Sequence, residues 1–115
     1  MAHKHKKQKG AKREARARVF AALGDETRLR LISSLSAGEP ASIAQLTQDS
    51  RLTRQAITKH LHVLEAVGLV RSKRLGRESL FAFDPEPLTE IHSYLDRIQR
   101  RWEEAPAALK TLTES

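Results

Sequence analysis

The chain has 115 residues, with 21 Lys+Arg against 14 Asp+Glu and a formal net charge of +7. That length suits one domain with a small core, and with aromatics at 4% the core must come from Leu, Ile, Val and Ala. The absence of Cys excludes a disulfide framework, a thiolate metal site and a cysteine nucleophile. No apolar run approaches the roughly 18 residues that a membrane span needs, and the charged N-terminus is unlike a secretory signal. A cytoplasmic protein with no membrane partner is expected.

The charge is unevenly spread. Residues 1–18 carry eight Lys/Arg against Glu14, residues 51–77 carry seven against Glu65, and residues 78–115 carry four against eight acidic groups. The chain is therefore a basic tail, a neutral start, a basic middle and an acidic end. Residues 1–13 contain almost no apolar side chains and are expected to form a disordered tail. Its His3-Lys4-His5-Lys6-Lys7 run is either a cloning-derived extension or a native basic arm. Residues 14–113 form the expected folded domain.

In chain order, Val19, Phe20 and Leu23 at helical spacing predict a first helix from Glu14 to Leu23, closed by Gly24. Asp25 offers an N-cap oxygen to a second helix with Leu29, Leu31, Ile32 and Leu35 on its apolar side, ending before Gly38 and Pro40. Ser42-Ile43-Ala44-Gln45 has capping-box spacing and opens a short third helix reaching about Asp49. Thr53 caps a fourth helix, about 53–67, whose buried stripe is Ile57, Leu61 and Leu64 and whose end is Gly68.

The period then changes. Residues 69–75, the pair Gly76-Arg77 and residues 78–83 read as strand, turn, strand. Leu69, Arg71 and Lys73 cannot all share a core, so one hairpin face is expected to be wet and positive. Leu88, Ile91, Leu95, Ile98 and Trp102 follow a three-four rhythm on a last long helix, which Pro106 breaks or kinks before a short final turn from Ala107 to Leu112. These residues make a seam too long for so small a core to cover, and Val19 and Phe20 extend it, as a contact between two copies requires.

A short capped helix, a tight connection and a longer helix is the helix-turn-helix layout, in which the second helix enters the DNA major groove. With Ile57, Leu61 and Leu64 inward, the helical period turns Arg54, Gln55, Thr58, Lys59 and His62 outward. Arg forks onto guanine, Gln onto adenine, and Thr offers a hydroxyl and a methyl. Lys59, Arg51 and Arg71 suit phosphate contacts, which position the protein rather than specify sequence. The basic hairpin reads as a wing, with Arg74 and Arg77 flanking Gly76 at its tip. The fold class is mostly α with a small β-hairpin wing.

Three stretches carry a family resemblance: Ala22 to Ile32, Leu52 to Glu65, and Ala66-Val67-Gly68-Leu69-Val70 with Arg74 through Arg77. In order and spacing they resemble ArsR-type winged helix-turn-helix regulators, the first as an opening signature, the second as a recognition helix and the third as the entry to the wing. The run from Tyr94-Leu95 to Trp102-Glu103-Glu104 resembles one branch of that family. The resemblance spans about residues 18–112. It implies a homodimeric transcriptional repressor, joined through the first and last long helices, on an imperfect palindrome of double-stranded DNA near a promoter. By position it carries DNA contact onto Thr53, Arg54, Gln55, Thr58, Lys59, Arg74 and Arg77. His60 stands in the family's Lys-His-Leu signature, where packing, a backbone hydrogen bond and a DNA contact are all open readings.

The chain departs from the metal sensors of that family. Their thiolate site has no counterpart without Cys, and the last-helix pattern is met only by Glu90 and His92, with Glu103 and Pro106 standing where His and a carboxylate belong. No metal and no other cofactor is expected. A winged helix serving RNA or a protein partner is a rival class. An enzyme is another, but no Gly-rich phosphate loop and no converging Ser-His-acid set is present. The operator and any small-molecule inducer are not legible.

Overall fold

A computed structural model of the chain describes residues 2–104 and 107–114, with side chains from residue 9 onward. Helix α1 spans Ala2–Leu23 and α2 spans Glu26–Ala37. Strand β1 is Ala41–Ser42, and helices α3 and α4 are Ile43–Gln48 and Arg54–Ala66. Strands β2 and β3, Val70–Leu75 and Glu78–Phe83, precede α5 at Glu86–Glu104 and α6 at Ala107–Glu114. The break expected at Pro106 lies outside the described residues.

The helix starts follow from capping. Asp25 accepts from the Arg28 N–H, and Ser42 and Gln45 exchange both bonds of a capping box. Thr53 accepts from the Ala56 N–H at 3.2 Å to open α4. Gly68 closes α4 at φ +81°, a backbone that disfavours any side chain. The first helix begins well before the expected Glu14, because its Ala, Lys, Gln and Arg residues are good helix formers.

The core joins α2, α3, α4 and the sheet. Ile57, Leu61, Leu64, Leu69 and Val70 are fully buried, with Leu31, Leu35, Leu46 and Phe81 around them. Each such side chain contributes roughly 1.5–3 kcal/mol by leaving water. Leu29, expected on the buried side of α2, is exposed. A repeat of three falls behind the 3.6-residue turn, so Leu31, Ile32 and Leu35 take the inner face instead. Leu69, placed on the wet hairpin face, is also buried, because it precedes β2 and its N–H bonds back to Leu64 O in the turn that ends α4.

The wing is three-stranded rather than a bare hairpin. The antiparallel order is β1-β3-β2, with Ala41 opposite Phe81 and Ser42 opposite Leu80. Residues 76–77 form the turn, with only Gly76 at positive φ, the pattern of a type II′ hairpin. On the opposite side, α1 packs on α5. The Arg16 guanidinium carbon lies 4.1 Å from the centre of the Tyr94 ring, and Phe20 meets that ring edge-on at 6.1 Å.

Candidate nucleic-acid interface

Helix α4 is held from beneath by Ile57, Leu61 and Leu64, all with no exposed surface. The outer face of that helix carries Arg54, Gln55, Lys59 and His62, all exposed, with Thr58 half-buried among them. Arg51 is exposed on the turn before the helix, where Ser50 Oγ accepts from the Leu52 N–H at 3.1 Å and tightens the chain. Thr53 uses its hydroxyl oxygen as the cap and keeps its O–H as a donor. Thr58 donates its hydroxyl to Arg54 O at 2.7 Å, which leaves its methyl and remaining acceptor capacity.

The wing adds a second row of cations. Arg71, Lys73, Arg74 and Arg77 are exposed, and Arg74 Nε lies 3.4 Å from Gly76 O. Arg54 and Arg77 line one shallow cleft between the start of α4 and the wing, beside Ile43 and Glu78. Among the described residues Arg51, Arg54, Lys59, Lys73, Arg74 and Arg77 have no carboxylate within ion-pair distance. Arg71 differs. Its Nε donates to Asp84 Oδ2 at 2.6 Å, so part of its charge is already answered within the chain. That contact and the Glu86 N–H hold the Asp84 carboxyl below its ordinary range, the N–H having the larger effect.

One support, the Arg28 bridge, was not legible in the sequence. Arg28 Nε donates to Ala22 O at 2.6 Å and Nη2 to Ala21 O at 3.3 Å, while Nη1 stands 3.3 Å from His60 Nδ1. His60 therefore packs between α2 and α4 instead of facing outward, and Asp25 Oδ2 is 3.8 Å away. Lys73 joins the wing's cations, on the wet, positive face that the sequence placed it on.

A helix-turn-helix domain model matches residues 23–73. An uncharacterized HTH-type transcriptional regulator of Bacillus subtilis, YuzN, is 43% identical over 64% of this chain and 86% of its own length. An ArsR-like transcriptional regulator from Rhodococcus sp. RHA1 superposes with a TM-score of 0.72 at 37% identity, over 86% of this chain and 92% of that one. The chain belongs to the ArsR family of transcriptional regulators. This ArsR-family regulator binds DNA through its helix-turn-helix. Its fold also matches a homodimeric winged helix-turn-helix domain from Mycobacterium bovis, at a TM-score of 0.65 and 20% identity over 85% of this chain and 89% of that one.

The residues expected at a dimer interface divide by burial in the ArsR-family chain. Val19 and Ile91 are covered inside one protomer, at 7% and 5% exposure, since α1 and α5 pack on each other through them. Phe20 and Leu88 are half-buried, whereas Leu95, Ile98 and Trp102 on α5 remain exposed. Leu109 and Leu112 on α6 are also exposed. His92 is exposed, and among the described residues no three His, Asp or Glu side chains converge as metal ligands would. No described helix is long and apolar enough to cross a membrane.

Proposed function

We propose that this regulator is a homodimeric repressor that occupies an imperfect palindrome near a promoter. The observation that carries the reading is the division of its surface. Arg54 and Lys59 on α4 and Lys73, Arg74 and Arg77 on the wing have no carboxylate partner among the described residues, and exposed Leu95, Ile98 and Trp102 mark α5. One winged helix reads a half-site, and a two-fold dimer sets two recognition helices about 34–36 Å apart, one turn of DNA. The homodimeric Mycobacterium bovis relative supports the same assembly. A bound dimer represses by excluding polymerase, which requires occupancy alone.

In this reading Arg54, Gln55 and Thr58 face base edges, with His62 one turn further along the same face. Thr53, Arg51, Lys59, Arg71, Arg74 and Arg77 contact phosphates and fix the register. Phe20 and Leu88 border the α5 seam that meets its own copy. The test is protection mapping on the DNA upstream of the protein's own gene, combined with binding at graded salt. Two protected half-sites of related sequence one helical turn apart are expected, with transcription falling as the protein is added. Loss of binding to every duplex, with RNA or a protein partner retained, overturns the reading.

A further inference from the structure

A cleft of ≈ 360 Å³ lies where α1, the C-terminal end of α4 and the first turns of α5 meet. Its floor is apolar, built from Val19, Val67, Pro87 and Ile91. Its rim carries Lys12, Arg16 and Arg18 against Glu90 alone. Glu90 is already 3.3 Å from Arg16, and among the described residues Arg18 pairs only with Glu14 of its own helix, at 3.7 Å with both side chains exposed. Lys12 has no ion pair among the described residues. Arg16 Nε is buried with no hydrogen-bond partner among the described residues, an arrangement that disfavours the site as it stands.

We propose that this cleft binds a small anionic amphiphile, a hydrocarbon body carrying one carboxylate. The apolar floor accepts hydrocarbon and offers nothing to a hydrated phosphate, while the surplus of rim cations selects an anionic head over an amine. The volume falls in the range of about 300–1,000 Å³ usual for small-molecule sites.

The position of the cleft gives binding a consequence. Ala66, on its wall, is the last residue of α4, and Val67 on its floor is the next. Directly afterwards the chain turns at Gly68, where an added Cβ would sit 3.5 Å from Pro87 of α5. The Asp84 N–H bonds Leu69 O at 2.8 Å in the same corner. An occupant wedged between α1 and this corner shifts α4 relative to the α1–α5 pair and lowers operator affinity. By linkage, DNA lowers the amphiphile's affinity by the same factor. This regulatory half rests on the DNA-binding function above, while binding itself does not.

Decanoate is the probe, with decanol and decylamine as head-group controls, titrated calorimetrically into the full chain without DNA. One decanoate per chain is expected, with decanol at least about tenfold weaker and decylamine silent. Ala66→Phe fills the cleft from an exposed position and abolishes decanoate binding, and because the ring itself is a wedge, its duplex affinity is read only for whether it still responds to decanoate. Ala15→Phe, on the opposite wall, serves if the first variant does not fold. Saturating decanoate lowers duplex affinity on the order of tenfold in the native chain and not in the filled variant. No heat with decanoate, equal binding of decanol, or binding that survives both Phe variants overturns the site. Decanoate binding with unchanged duplex affinity overturns the regulation. A chain that binds no duplex in the absence of decanoate counts against the DNA-binding function, whereas the calorimetric titration still decides whether the cleft binds decanoate.

Discussion

Arg28 on α2 and His60 on α4 face each other, guanidinium Nη1 to imidazole Nδ1, at 3.3 Å. A guanidinium only donates, so in this hydrogen bond the imidazole Nδ1 is the acceptor. The same guanidinium holds the last carbonyls of α1 through Ala21 and Ala22. One side chain thereby ties α1 to the middle of the recognition helix. Arg28→Met keeps an unbranched apolar stem and removes every one of these bonds. A loss of roughly 1–3 kcal/mol is expected in urea unfolding, together with weaker duplex binding. Unchanged stability and affinity would assign Arg28 to a surface without consequence.

Base reading and phosphate contact should separate by substitution. Arg54→Ala and Gln55→Ala are each expected to cost about 1–3 kcal/mol on the operator and to relax preference at one base pair. Lys59→Ala or Arg77→Ala should weaken all duplexes alike and reduce the salt slope by about one. Equal losses on operator and random DNA for both Arg54→Ala and Gln55→Ala would remove them from direct readout.

The Arg71–Asp84 contact restrains a wing cation. Arg71 is 74% exposed in its side chain and Asp84 is 19% exposed. Asp84→Asn keeps an acceptor for the Glu86 N–H but lowers the negative charge beside Arg71. Affinity for random and operator DNA should rise together, with a steeper salt dependence, as measured by anisotropy at several ionic strengths.

Acid should act through the same carboxylate and through Asp25. Both are held below the ordinary value of 3.8, Asp25 first by the Arg28 N–H and Asp84 first by the Glu86 N–H. A carboxyl depressed in the folded state stabilises it fully above its unfolded value and loses that contribution as pH falls through the folded value. Stability of the native chain should therefore decline below about pH 4. The double variant Asp25→Asn, Asp84→Asn should show a flatter decline in urea midpoints over that window.

The exposed seam on α5 predicts the assembly state. Leu95→Asp or Ile98→Asp is expected to give a folded monomer, because both side chains are about half exposed in one protomer, at 49% and 44%. Sedimentation should show the change, and affinity for a full palindrome should fall to that for a half-site. A native chain that sediments as a monomer at micromolar concentration while binding a palindrome no better than a half-site would rule out the dimer.

Deletion of residues 2–12 tests the basic N-terminal segment, which carries Lys4, Lys6, Lys7, Lys9 and Lys12. Operator and random DNA should lose affinity by a similar factor at low salt, because a compact Lys ammonium charge suits phosphate contact rather than base-edge readout. A loss confined to the operator would mean that this segment reads a groove.

Local structure was legible wherever short-range chemistry controls it. Asp25, Ser42 with Gln45, and Thr53 each satisfy backbone N–H groups within three residues, so the starts of α2, α3 and α4 were legible before any packing was known. The 3.6-residue period placed Ile57, Leu61 and Leu64 inward and Arg54, Gln55 and Lys59 outward, and Gly68 ended the helix because its φ of +81° suits glycine. Tertiary structure alone decided the rest. Strand β1 is two residues long and hidden behind the Ser42 cap, and it exists only because Phe81 and Leu80 come alongside it. Val19 and Ile91 carry the same apolar signal as Leu95 and Ile98, yet the packing of α1 on α5 covers the first pair and leaves the second pair exposed. Arg28 reaches His60 across 32 positions of sequence, and Arg71 reaches Asp84 across 13, so no local pattern distinguishes a bridging or restrained arginine from one left free to meet DNA. Periodicity reports which side of an element is apolar or charged, but only the docking of the elements decides what that side meets.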